Sequence, residues 1–201
     1  VKADGSEEVL KSSLTAEDGV IAALSSGDTV KLVDNSKTFT DVSASYWGSD
    51  AIAFATSREL FSGTGEAVFA PESAMTRAML VTVLARYDGV DTSAGSTWYE
   101  AAVAWAVEKG ISDGTALEQS ITREQLATIL WRYAGQPSPS GSLSGYSDVD
   151  AVSGWAGQAM AWAVDTGLIN GMGGDTLAPQ GSATRAQVAT ILMRFIINEN
   201  G

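Results

Sequence analysis

No cysteine and no histidine occur in this chain. The first absence excludes a disulfide framework and thiolate metal sites. The second removes histidine-dependent triads, the common zinc sites and the usual general base near neutral pH. A cysteine-free chain suits an exported bacterial protein, and suits a cytosolic one equally. Basic residues are scarce: 12 Lys and Arg face 24 Asp and Glu, for a net charge of −12. No basic stripe is available for nucleic acid, and attraction to an anionic membrane is excluded on the same ground. No apolar run reaches the roughly eighteen residues that a membrane-spanning helix needs, so no membrane insertion is expected. The sequence begins at Val1 without an initiator methionine and reads as a piece of a longer protein; any targeting segment would lie upstream. What remains is an ordinary globular balance, with 45% hydrophobic residues and 21 glycines over 201 residues. That is enough for one repeat domain plus a short extra segment.

One pattern appears three times. Anchored on Trp47, Trp98 and Trp155, the register aligns Ile52, Val103 and Met160, then Phe54, Trp105 and Trp162. It goes on to align Leu60, Ile111 and Leu168, and then Gly63, Gly114 and Gly171. Each copy then reaches Thr-Arg, at Thr76-Arg77, Thr122-Arg123 and Thr184-Arg185. The arginine lies 30 residues after the tryptophan in the first and third copies and 25 after it in the second. The second copy therefore lacks five residues, placed at the counterpart of Phe69-Ala70-Pro71 and Leu177-Ala178-Pro179.

Each unit reads as helix, glycine turn, short extended piece, helix. Gly110 and Gly167 suit left-handed caps at the end of the first helix. The second helix follows the i, i+3, i+4, i+7 template at Leu80, Val83, Leu84 and Tyr87, at Leu126, Ile129, Leu130 and Tyr133, and at Val188, Ile191, Leu192 and Phe195. Threonine is a good N-cap, and Gln125 and Gln187 complete capping boxes that Met79 breaks. Two short helices cannot bury their own apolar faces, whereas three such pairs can. The expected fold is mainly α: three helix–loop–helix repeats packed as a pseudo-threefold bundle, with a short N-terminal β segment.

The chain has seven arginines, and six follow the repeat. Arg86, Arg132 and Arg194 lie towards helix C-termini, where cations complement the dipole, and read as structural. Arg77, Arg123 and Arg185 lie at helix starts, where the dipole disfavours a cation. A guanidinium beside free backbone N–H groups makes a concentrated anion site, and its planar fork matches a carboxylate. The alternative is a salt bridge to an aspartate such as Asp41 or Asp148. Arg123, in the shortened copy, is expected to matter less than Arg77 and Arg185.

These residues resemble the S-layer homology domain, usually found as three tandem copies. The matching text is Phe39-Thr40-Asp41-Val42, Trp47, an alanine-rich helix, Phe69-Ala70-Pro71 and Thr76-Arg77-Ala78. The third copy matches through Tyr146-Ser147-Asp148-Val149, Trp155, Gly171, Leu177-Ala178-Pro179 and Thr184-Arg185-Ala186. The second departs, with Gly89-Val90-Asp91 in place of the aromatic-x-Asp-Val opening. The resemblance implies a non-catalytic module that anchors an exported protein on the bacterial cell surface, in the cell wall or S-layer. The implied partner is secondary cell-wall polysaccharide carrying pyruvylated N-acetylmannosamine, bound in grooves between repeats, with the arginine of the Thr-Arg motif among the contacts. It implies no cofactor and no metal, and a monomer with internal pseudo-threefold symmetry.

Trp47, Trp98 and Trp155 have two readings: platforms for sugar rings, or anchors of each first helix in the core, which is favoured because large aromatics dominate burial. Trp105 and Trp162 read as core, and Trp131 as partly exposed. Gly63, Gly114 and Gly171 read as turn residues with positive φ, or as points of close approach to ligand. Asp41 and Asp148 read as braces of a helix entrance, or as contacts to sugar hydroxyls. The glycine-rich run 171–174 lacks the Gly-Lys-Ser/Thr ending of a phosphate loop. The expected organisation is a β-rich tail of an upstream domain or linker, or a small β hairpin joined to the first repeat, at 1–37, repeats at 38–88, 89–134 (shortened) and 146–197, and a flexible connection at 135–145. Strands are expected near Val9–Lys11, Gly19–Leu24 and Thr29–Val33. A protein–protein docking or assembly module is the competing function. A glycosidase is disfavoured, because no carboxylate pair recurs in settings that would split its pKa values.

Overall fold

The computed structural model describes Val1 and residues 5–201. Six helices carry the repeats: α1 (Ser49–Ser57), α2 (Arg77–Tyr87), α3 (Glu100–Glu108), α4 (Arg123–Tyr133), α5 (Gly157–Asp165) and α6 (Arg185–Asn200). Two short strands, β1 (Leu14–Ala16) and β2 (Gly19–Ile21), precede them as an antiparallel hairpin.

The helices pair between repeats. α2 packs on α3, α4 packs on α5, and α6 returns to pack on α1. The ring is thus closed, and each repeat's apolar faces are buried by its neighbours. Backbone hydrogen bonds close the same circle. Met75 N–H donates to Ala183 O at 3.0 Å, Ala183 N–H to Ile121 O at 2.9 Å, and Ile121 N–H to Met75 O at 2.8 Å. At the far ends of the second helices, Tyr87, Tyr133 and Phe195 meet with ring centroids 6.2, 6.4 and 5.8 Å apart. Edge-on pairs of this kind contribute about 0.5–1.5 kcal/mol each beyond burial. Between these two layers lie Leu80, Leu84, Leu126, Leu130, Val188 and Leu192, all buried.

The turns after the first helices are left-handed, at Gly110 (φ 69°) and Gly167 (φ 71°). In the first repeat Glu59 takes that conformation at φ 58° without being glycine. Of the arginines expected towards helix C-termini, Arg86 and Arg132 lie in the last turn, whereas α6 runs on past Arg194 to Asn200. All three instead donate from Nη1 to the carbonyl that follows the left-handed turn: Leu60 O, Ile111 O and Leu168 O.

Of the three expected N-terminal strands, only the second has a counterpart, in β2. Residues 9–11 and 29–33 form none, and Val30, Leu32 and Val33 are exposed. β-rich composition without a partner edge does not make a strand. The hairpin is moored by buried Leu14 and by Arg58, whose Nε and Nη2 donate to Ser13 O at 2.9 and 2.7 Å. Nor is the connection at 135–145 loose. Trp131 Nε1 donates to Pro137 O at 2.8 Å, and Ser140 donates from N and Oγ to Asp165.

Candidate functional site

Each helix start is capped from two directions. The threonine Oγ1 of Thr76, Thr122 and Thr184 accepts the third helical N–H, and Gln125 and Gln187 close capping boxes. The first two amides meet a neighbouring repeat. Arg77 and Ala78 N–H donate to Gln119 and Leu117 O, Arg123 and Glu124 N–H to Gly181 and Pro179 O, and Arg185 and Ala186 N–H to Ser73 and Pro71 O. The expected free amides are therefore absent. A loop of the adjacent repeat turns its carbonyls onto them, bent by left-handed Ala70, Ala116 and Ala178 at φ 57°, 52° and 49°. Positive potential at these sites comes from the guanidinium alone.

The arginines grip the same loops. Arg123 Nε donates to Leu177 O at 2.7 Å and Nη2 to Asn170 O at 2.8 Å. Arg185 Nε donates to Phe69 O at 2.8 Å and Nη2 to Ser62 O at 2.7 Å. The aspartates hold these loops from the other side. Asp148 accepts from Leu177 and Ala178 N–H, and Asp41 from Phe69 and Ala70 N–H. These amide bonds hold both carboxyls below the usual aspartate range, with a smaller contribution from Arg123 and Arg185 respectively. Aspartate and arginine are thus coupled across a peptide group, and neither pair forms a direct ion pair among the described residues. Arg123 and Arg185 keep Nη1 unbonded to any described residue, and the Arg185 guanidinium lies 4.5 Å from the Phe69 ring centroid. Burial lowers both guanidinium pKa values, opposed by the facing aspartates.

Arg77 differs. Its Nη2 donates to Asp113 Oδ1 at 2.9 Å, and its buried Nε has no partner. Ala116 shares the left-handed turn of Ala70 and Ala178, so Thr115-Ala116-Leu117 fills the place of Phe69-Ala70-Pro71. The five-residue gap therefore falls earlier, opposite the turns at 64–68 and 172–176. Because each arginine reaches into the loop of a neighbouring repeat, the shortened loop faces Arg77. The ground for expecting Arg123 to be the weakened arginine is thereby removed. Asp91, in the place of Asp41 and Asp148, binds Ser93 instead of a loop.

A groove of about 360 Å³ opens beside Arg123. It draws on all three repeats: Trp47 and Glu72 from the first, Arg123 from the second, and Asn170, Gly171, Met172, Gln187 and Arg194 from the third. Tyr46 Oη donates to Glu72 at 2.6 Å, and burial first, then Glu72, pushes the Tyr46 pKa up to about 12. A larger hollow of about 570 Å³ on the first repeat includes Ser62 and Gly63. Its one cationic lining residue, Lys37, is bonded to Asn35.

The favoured core placement of the anchoring tryptophans is wrong. Trp47, Trp98 and Trp155 are 59%, 50% and 56% exposed. Each lies ahead of its helix, while Trp105 and Trp162 fill the core from within theirs, at 8% and 6%. The positive φ expected at Gly63 and Gly171 is also absent; only Gly114, at 71°, has it. Gly63 instead leaves no space for a side chain, and Gly171 leaves little. A Cβ at Gly63 would lie 2.8 Å from Val68 O, and one at Gly171 3.1 Å from Thr176 O. Asn170, Met172 and Gln187 escape a reading of the sequence because they meet Trp47 and Arg123 only across repeats, and Glu72 because it meets Tyr46 and Trp47 only through the fold of the first repeat.

A closed ring of helix pairs with arginine-held loops and exposed tryptophans defines a three-repeat helical module. The S-layer homology domain family model matches residues 38–78 and 145–189, so the chain carries S-layer homology repeats in its first and third copies. The shortened middle repeat lies outside both matches but carries the same helix pair. The chain is similar to an amylopullulanase of Thermoanaerobacterium thermosulfurigenes, 30% identical over 174 residues. That match covers 78% of this chain and 9% of the relative. It is also similar to exoglucanase XynX of Acetivibrio thermocellus, 26% identical over 186 residues, with 84% and 17% covered. The chain thus spans a small fraction of these relatives' length. Domains of this family anchor surface proteins to the bacterial cell wall and bind its polysaccharides, which places the chain at the cell surface. No described helix is long and apolar enough to cross a membrane.

Proposed function

We propose that the groove between the third and first repeats binds cell-wall polysaccharide through an acidic sugar, pyruvylated N-acetylmannosamine, and that the chain is the non-catalytic anchor of a longer extracellular protein. One observation carries this reading. In a chain of net charge −12, Arg123 lines a groove with its Nη1 unspent, beside the exposed indole of Trp47. A guanidinium next to an aromatic face suits a sugar that bears a carboxylate on an apolar ring face. Asn170, Gly171 and Gln187 supply amide and carbonyl groups for the sugar's polar substituents. Pseudo-threefold equivalence gives Arg185 and Trp98 the same roles over the loop of the first repeat. In this reading 38–88, 89–134 and 146–197 act as one binding body, 135–145 joins the last two, and 1–37 leads in from upstream. The closed ring satisfies its own three interfaces, so the unit works as a monomer.

Titration of the chain with wall polysaccharide before and after chemical removal of pyruvate tests the reading. Saturable binding that disappears with pyruvate is expected; equal binding to both preparations refutes the acidic-sugar assignment.

A further inference from the structure

Ser62, Asp113 and Asn170 occupy one position in the three repeats, and each receives Nη2 of an arginine from the neighbouring repeat. At Ser62 and Asn170 the acceptor is a backbone carbonyl, which leaves the guanidinium with its full charge. At Asp113 the acceptor is a carboxylate, which sets a negative charge directly against it. That carboxylate is fixed in place, since Asp113 Oδ1 also accepts from Thr115 N–H at 3.0 Å and Thr115 Oγ1 at 2.9 Å. Thr115, at the place of Phe69 and Leu177, accepts nothing from Arg77, so Arg77 Nε is orphaned where Phe69 O and Leu177 O serve the other two arginines. The third exposed tryptophan, Trp155, is nevertheless in place.

We infer that Asp113 is a specificity-determining residue: its carboxylate stands where a ligand's would act on Arg77 and closes the second repeat's groove to anionic glycan, so that the chain grips the wall through two grooves. This rests on the glycan reading above. An incoming carboxylate meets a cation already paired and a like charge beside it, which disfavours binding in both respects. Two engaged grooves on one rigid body still gain avidity on a polymeric ligand, and the third adds nothing.

The test uses the full chain and a pyruvylated N-acetylmannosamine oligosaccharide, titrated calorimetrically. Trp47→Ala with Trp98→Ala disables the two open grooves without touching the arginines that hold the loops. Affinity is expected to fall at least tenfold. Adding Asp113→Asn, which keeps the shape and removes the charge, is expected to restore measurable binding, and adding Arg77→Ala to this triple variant abolishes it again. Asp113→Ser, the residue found at position 62, serves as a second version. The inference is overturned if the double tryptophan variant binds as the parent does and Arg77→Ala removes that binding. It is equally overturned if neither Asp113 substitution adds any binding. Failure of the parent chain to bind the oligosaccharide overturns the glycan reading and this inference together. Binding by the parent with no gain from the Asp113 variants overturns this inference alone.

Discussion

Asp148 and Arg123 hold one residue, Leu177, from opposite sides: the carboxylate accepts its N–H and the guanidinium donates to its carbonyl. Asp41 and Arg185 do the same to Phe69. Opposite charges thus act through a polarised peptide group, which orders the loop and aims the arginine at the same time. The aspartate belongs to the repeat that owns the loop and the arginine to another, so loop order and ring closure are coupled.

Arg123→Ala and Arg185→Ala are each expected to destabilise the fold by about 2–4 kcal/mol, since each leaves carbonyls without their charged donors. Arg77→Ala is expected to cost about 0–1 kcal/mol, because its ion-pair partner Asp113 is exposed and its Nε has no partner to lose. Urea denaturation of the three variants decides the point; equal losses at all three positions would show that the loop clamps contribute nothing special.

What the sequence disclosed was local. The stripe at Leu80, Val83, Leu84 and Tyr87 and the boxes at Thr122-Gln125 and Thr184-Gln187 involve neighbours within one helix, and both appear as read. The partners of the arginines were hidden because they lie far away in the chain: Arg185 reaches Phe69 and Ser62 across 116 and 123 residues. Counting within a copy assigned the gap to Arg123, whereas the ring's connectivity assigns it to Arg77. Trp47 was misjudged for a related reason. Register places it at the head of a helix, but only the fold shows that the indole meets a groove of another repeat.

Trp47→Ala is expected to weaken glycan binding about 3–10-fold, in keeping with about 0.5–1.5 kcal/mol for an aromatic contact. Its melting temperature should stay within about 2 °C of the parent, because the side chain is 59% exposed. Calorimetric titration and thermal scans on the same samples separate the effects. A large stability loss with unchanged affinity would return Trp47 to a structural role.

Acid should loosen the loops before the helices. Asp41 and Asp148 have folded pKa values below their unfolded ones, chiefly through the Phe69 and Leu177 amides. Their contribution is therefore present above the unfolded aspartate pKa of about 3.9 and is lost as pH falls below it through the folded value. The parent's melting temperature should be flat above about pH 5 on this account and drop below about pH 4. Asp41→Asn with Asp148→Asn should lower the plateau and shrink the drop. An unchanged acid slope in the double variant would rule these two carboxylates out as its source.

Gly63→Ala separates close approach from backbone conformation. Gly63 is not left-handed, so alanine incurs no φ penalty there, yet its Cβ would stand 2.8 Å from Val68 O and 3.1 Å from the Phe39 ring. The loop must shift, at about 1–3 kcal/mol by analogy with overpacked cores, or roughly 2–10 °C for a chain of this size. Gly171→Ala is milder, with 3.1 Å to Thr176 O and 3.4 Å to Tyr146. Gly114→Ala meets the reverse situation: φ of 71° penalises any side chain by about 1–2 kcal/mol, while the clash is with the end of Val107, which can move. Thermal scans of the three variants should therefore rank Gly63 above Gly171. Because the Gly63 loop carries Ser62, the Nη2 acceptor of Arg185, Gly63→Ala should also disturb the first repeat's groove and leave binding at Trp47 intact.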